Sequence, residues 1–267
     1  MNGWKAAITL ASLCLIAASP GQEPGAGKPT FATEFCVVEL NGRLHPYRIF
    51  FPSRYVPAPE KAGASVPKFP LVIACHPGGG DEHSYFEWKG NADRIQTIAE
   101  ERGYIVACPA APGNNWHEET AGSEFGYACK KESPDVIISV VREIIRQRQV
   151  DESRVYLMGA SSGGIATFTT AARNPGTFAA IAGVCAFMDK ELIDPLAKTP
   201  VLMINAQKDR HFAIDKVREQ KTRLESAGGQ VRLVELPGGH GGYRDLATYR
   251  ILFDWFDGHR LKRDARP

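Results

Sequence analysis

The 267-residue chain has almost no surplus of charge: 32 Lys and Arg stand against 30 Asp and Glu, a net charge of +2. A protein that follows a phosphate backbone needs a basic excess, so nucleic acid is not expected as a partner. After the first 20 residues there is no apolar run near the roughly 20 residues a helix needs to cross a bilayer, so no membrane span is expected. No Cys-x-x-Cys pair and no His-Glu-x-x-His occurs. A structural or catalytic zinc site therefore has no support in the sequence, and no cofactor is implied. Internal repeats are absent, and no low-complexity linker follows residue 30. With 43% apolar and 23% charged residues, the composition is that of a chain able to bury one substantial core.

Lys5 precedes an apolar run from Ala6 to Ala18, followed by Ser19, Pro20 and Gly21. A basic start, a short apolar stretch and a small-residue exit form a secretory signal. The expected organisation is a signal peptide over 1–21, a Gly- and Pro-rich lead-in over 22–33 and one domain over 34–260, in a secreted or periplasmic protein. Leu13 ahead of Cys14 is larger than a lipid-anchored cysteine usually accepts, which argues against a lipoprotein. The mature chain then keeps Cys36, Cys75, Cys108, Cys129 and Cys185, an odd number, so at least one is unpaired in a monomer. A Cys75–Cys108 bridge is open if their strands are neighbours.

Strands and helices alternate along the rest of the chain. Glu34–Leu40 and His45–Phe51 are β-rich runs separated by Asn41-Gly42, a hairpin signal. Phe69–Cys75 and Tyr104–Cys108 are continuous apolar runs, as parallel strands covered on both faces require. Ser133-Pro134 opens a helix whose apolar positions from Val136 to Ile145 recur at helical spacing. Further strands are expected at Val155–Met158, Phe178–Cys185, Pro200–Asn205 and Val231–Leu236. Helices are expected at Ser162–Arg173, from about Ala213 to Gly228, and at Tyr243–Asp257. This order predicts an α/β fold: a mostly parallel central sheet, helices on both faces, and an antiparallel N-terminal hairpin at one edge.

Three segments carry chemistry. Gly159-x-Ser161-x-Gly163 lies between a predicted strand and a predicted helix, where a sharp turn lifts a serine hydroxyl above the strand end. Ser162 is the rival serine, but Ala160 stands two residues before it, so the glycine frame fits Ser161. The second segment is the buried strand Leu71–Cys75 running into His76-Pro-Gly78-Gly79-Gly80. Such a loop can aim backbone N–H groups at a developing oxyanion. Pro77 has no N–H, which leaves Gly78 or Gly79 as donor beside the N–H of Ser162, with His76 bracing the loop. The third is a pair of strand-to-loop junctions, one leading to Asp209 and one to His240. A serine hydroxyl needs an imidazole to take its proton, and an acid to fix the imidazole's tautomer. The order Ser161, Asp209, His240 is that of the α/β-hydrolase arrangement, and each residue follows a predicted strand. Asp215 competes with Asp209 but falls in the first turn of the next helix.

From about residue 34 onward the chain resembles α/β-hydrolases of the branch that contains secreted polyhydroxybutyrate depolymerases, feruloyl esterases and acetylxylan esterases. Val150 to Gly164 is similar to that family's elbow with its preceding Asp and Arg-Val-Tyr strand, and Asn174 to Gly183 is similar to the stretch downstream of that elbow. The resemblance implies Ser161 as nucleophile, His240 as general base, Asp209 as orienting acid and an oxyanion hole around Gly78. Two departures stand beside the chemistry: Pro77 where the family usually has glycine, and Asn205-Ala206 where His-Gly commonly precedes the acid.

The expected function is that of an exported serine esterase with no cofactor, acting on small or polymeric esters: acyl or feruloyl esters of polysaccharide, or a polyester. Tyr85, Phe86 and Trp88, with Trp116, are the candidates to line an aromatic substrate cleft. Prolyl-oligopeptidase-like domains share the fold, the order of the triad and the glycine pattern, which makes a serine peptidase the competing reading. A non-catalytic carbohydrate-binding relative is the third.

Overall fold

The computed structural model describes residues 31–57, 66–87, 94–119, 127–241 and 245–262. The proposed signal segment, residues 22–30 of the lead-in and Trp88 lie outside the described residues.

The chain order is β1 (Thr33–Leu40), β2 (Arg43–Phe50), β3 (Phe69–Cys75), α1 (Arg94–Arg102), β4 (Ile105–Pro109), β5 (His117–Glu119), β6 (Tyr127–Cys129), α2 (Ser133–Gln147), β7 (Val150–Ala160), α3 (Ser162–Arg173), β8 (Ala180–Val184), α4 (Ile193–Leu196), β9 (Val201–Ala206), α5 (Ile214–Ser226), β10 (Val231–Leu236) and α6 (Leu246–Asp257). Eight strands form one sheet in the order β1-β2-β4-β3-β7-β8-β9-β10. The β1–β2 hairpin is antiparallel, and β2 runs antiparallel to β4. The pairs from β4 and β3 through to β9 and β10 are parallel. Asn41 and Gly42, with φ of 53° and 74°, make the tight turn of the hairpin, as Asn-Gly does in two-residue loops.

Every residue of β3, β4, β8 and β9 is buried, because helices cover both faces of the sheet. On one face Leu71, Ile73 and Cys75 of β3 pack with residues of α2, α3, α4 and α5. On the other, Val72 and Ala74 pack with residues of α1 and α6. This two-residue alternation decides the fate of the expected disulfide. Ile73 pairs with Ala107, so Cys108 stands level with Ala74 on the α1/α6 face, while Cys75 points to the other face. The two strands are neighbours, yet their thiols are separated by the sheet, and both cysteines are free.

Four of these elements were not anticipated: helix α1, the paired short strands β5 and β6, and the short helix α4. Strand β7 begins at Val150 rather than Val155, because Val150 pairs with Phe69 before a register shift and the ladder resumes at Leu71–Val155.

Candidate active site

The parallel strands all point the same way, so the residues following β3, β7, β8, β9 and β10 gather along one edge of the sheet, where such folds place their crevice. Ser161 follows β7 with φ 53° and ψ −119°, a conformation that a non-glycine residue adopts only at some cost. The neighbouring glycines explain how the turn closes. A Cβ on Gly163 would stand 2.0 Å from the Cys75 carbonyl oxygen, and one on Gly159 would stand 2.2 Å from the Gly163 carbonyl oxygen. The Ser161 N–H donates to the Val184 carbonyl at 2.8 Å, and the Ser161 carbonyl accepts from Gly164 and Ile165. The serine is thereby clamped between β8 and the first turn of α3.

His240, in the loop after β10, brings Nε2 to 3.2 Å from Ser161 Oγ and Nδ1 to 2.8 Å from Asp209 Oδ2. The other oxygen of Asp209, in the loop after β9, accepts the N–H groups of His211 at 2.8 Å and Phe212 at 3.0 Å. Burial pushes the Asp209 carboxyl up, but the His240 bond and these two N–H groups together hold it below the ordinary carboxylate value. An ionised carboxylate only accepts, so Nδ1 carries the imidazole proton and Nε2 faces the Ser161 hydroxyl as an acceptor. Asp215, the rival acid, is exposed and pairs instead with Arg218 on α5.

Ser162 occupies a different environment from its neighbour. Its hydroxyl is buried, accepts the Trp116 N–H at 3.1 Å and lies 2.6 Å from His117 Nδ1. Its backbone N–H belongs to the first turn of α3, where no carbonyl within the helix can accept it. In the glycine loop, an added Cβ on Gly78 would lie 3.7 Å from Ser162 Cβ, which sets this backbone against the elbow. Gly79 is occupied otherwise: its N–H donates to Asn115 Oδ1 at 3.3 Å. His76 braces the loop, with Nδ1 2.8 Å from the Pro77 carbonyl and Nε2 accepting the Ala111 N–H at 3.0 Å. Burial lowers its basicity, partly offset by the Pro77 carbonyl and by Asp81 and Glu82.

A cavity of about 130 Å³ is lined by His117, Ser161, His211, Phe212 and His240. The expected aromatic cleft takes another form. Trp116 is fully buried, its ring 5.3 Å from the His76 ring, and its carbonyl accepts from Lys130 N–H and Ser133 Oγ. It anchors a loop and does not line the cavity. Tyr85 and Phe86 are likewise buried in the α1/α6 core, with the Tyr85 hydroxyl donating to the Cys75 carbonyl at 3.2 Å. Tyr85, Phe86 and Trp116 are consumed by packing. Sequence reasoning missed Asn115, His117, His211 and Phe212 as neighbours of the site. Only the position of His211 and Phe212 just after the acid offered a signal.

A model of the prolyl oligopeptidase family matches residues 91–196, a stretch that holds the elbow and stops before Asp209. Feruloyl esterase B of Thermothelomyces thermophilus is 30% identical over 117 residues, 42% of this chain and 37% of that protein. The chain therefore aligns with well under half of that relative's length. A thermostable esterase of known structure superposes with a TM-score of 0.68 at 23% identity, over 86% of this chain and 63% of that one. Porphyromonas gingivalis dipeptidyl peptidase 4 gives 0.60 at 16% identity, over 86% of this chain and 36% of its own.

Proposed function

The chain is an α/β-hydrolase in fold, and from that premise we propose that it is a serine esterase that cleaves carboxylic esters through an acyl-enzyme. The observation that carries this reading is the continuous hydrogen-bonded line Ser161–His240–Asp209, drawn from three separate strand ends. Ser161 Oγ attacks the ester carbonyl as His240 Nε2 takes its proton, and Asp209 stabilises the imidazolium without being protonated. His240 then returns the proton to the departing alkoxide, and water repeats the cycle on the acyl-enzyme. The N–H of Ser162 is one oxyanion donor and the loop at Gly78 supplies its partner; Gly79, engaged by Asn115, is not assigned that role.

The substrate class is proposed as acyl or feruloyl esters of polysaccharide, or a polyester, met outside the cytoplasm. Similarity to a feruloyl esterase and the N-terminal signal pattern support it. The family match at the elbow favours peptide hydrolysis as the second reading. Both are tested by offering the purified protein aryl esters with acetyl, butyryl and feruloyl groups alongside peptide anilides of several sequences. Ester turnover that disappears in Ser161→Ala, with no anilide cleavage, supports the esterase; anilide cleavage without ester turnover overturns it in favour of the peptidase.

A further inference from the structure

Cys185 is the first residue after β8, is fully buried, and has φ of 46°. Among the described residues only Asn41 and Ser161 share a positive φ without being glycine. Asn41 sits in a hairpin turn and Ser161 in the elbow, where the backbone has a reason to be there. Strained backbone persists only where its surroundings enforce it, and such positions concentrate at functional sites. At Cys185 the enforcement is visible on both sides. Its N–H donates to the Ile204 carbonyl of β9 at 2.7 Å, and the preceding Val184 carbonyl holds the Ser161 N–H.

The turn directs the side chain beneath the acid. The sulfur, an Asp209 carboxylate oxygen and a His240 ring nitrogen all lie within 4.8 Å of one another. Backbone groups of Ala206, at the end of β9, and of Gly241, next to His240, also reach the sulfur. The thiol thus stands beside the loops that carry the acid and the histidine, while its own strand end anchors the nucleophile.

Resting on the esterase reading above, we infer that Cys185 is a positioning residue: its S–H donates to the buried Asp209 carboxylate and fixes the acid against His240. Asp209 already accepts three hydrogen bonds, from His211, Phe212 and His240, and a carboxylate has room for about four. Burial pushes the thiol up to about 12, so it remains an S–H donor wherever the enzyme works. It acts through Asp209 and does not touch the substrate.

Cys185→Gly deletes the thiol while suiting the observed φ, so strain does not threaten folding. Cys185→Ser keeps a donor. Loss of one hydrogen bond to a charged group predicts a fall in kcat of about tenfold in Cys185→Gly, with KM within about twofold. Cys185→Ser is expected to stay within about twofold of the wild type in kcat. The low-field proton NMR signal of the His240 Nδ1–H gives a readout independent of turnover: it moves in Cys185→Gly and holds its position in Cys185→Ser. An unchanged signal and unchanged kcat in Cys185→Gly, or equal losses in both variants, overturn the inference. Absence of ester turnover in the wild type counts against the esterase reading alone, because the NMR comparison still decides the role of Cys185.

Discussion

Ser162 Oγ lies 2.6 Å from His117 Nδ1, one residue beyond Ser161, whose own Oγ lies 3.2 Å from His240 Nε2. Two adjacent serines therefore each face a histidine, and what separates them is the rest of the circuit. His240 leans on a buried carboxylate, whereas Ser162 is tied to the Trp116 backbone. Ser162→Ala removes the acceptor of a buried N–H, so it should cost about 1–3 kcal/mol of stability. Its effect on kcat should be far smaller than that of Ser161→Ala, since the Ser162 N–H survives. Urea unfolding and ester turnover measured on the same preparation check this; a loss of activity equal to that of Ser161→Ala, with stability unchanged, contradicts it.

Gly163→Ala is expected to abolish soluble folded protein or to displace the elbow. The added Cβ meets the Cys75 backbone at 2.0 Å, which no side-chain rearrangement can relieve. Gly239→Ala serves as the control, because among the described residues its Cβ would find only the Lys208 carbonyl, at 3.5 Å. Circular dichroism and thermal melts of the two variants test the contrast.

Asp209→Asn should leave the fold in place, because an amide oxygen can still accept from the His211 and Phe212 N–H groups. The amide no longer fixes His240 with its proton on Nδ1, and the expected loss in kcat is roughly 10⁴-fold. A loss below tenfold in a variant with an unchanged melt contradicts the role proposed for this acid.

Stability should depend on pH through His76. Burial holds its folded value below the ordinary 6.5, so on acidification the unfolded chain takes up a proton before the folded one does. Stability is therefore highest above about pH 6.5 and falls below it, until His76 itself becomes protonated. Unfolding by urea at about pH 7.5 and about pH 5.5 measures the difference in the wild type, and His76→Gln should show a smaller difference whatever its absolute stability. An equal difference in both proteins contradicts the assignment to His76.

Much of this arrangement is legible in the residues because strong local signals agreed. Continuous apolar runs at Phe69–Cys75 and Val201–Ile204 encode strands covered on both faces, and Gly159 and Gly163 are required by backbone contacts under 2.5 Å. What escaped depends on register and on long-range packing. The side of the sheet that Cys108 takes follows from the register of β4 against β3, which no local pattern reveals. Trp116 reads as a candidate to line a substrate cleft, yet it is buried with its ring against His76. Cys185 reads as one more small apolar residue at the end of a strand; only its positive φ and its distance to Asp209 distinguish it.

The central claim, that Ser161 is the nucleophile, is tested most directly by mass spectrometric peptide mapping after reaction with a fluorophosphonate. Stoichiometric adduct on Ser161 is predicted, with none on Ser162 and none in Ser161→Ala. An adduct on Ser162, or a folded protein that takes no label and turns over no ester, contradicts the account.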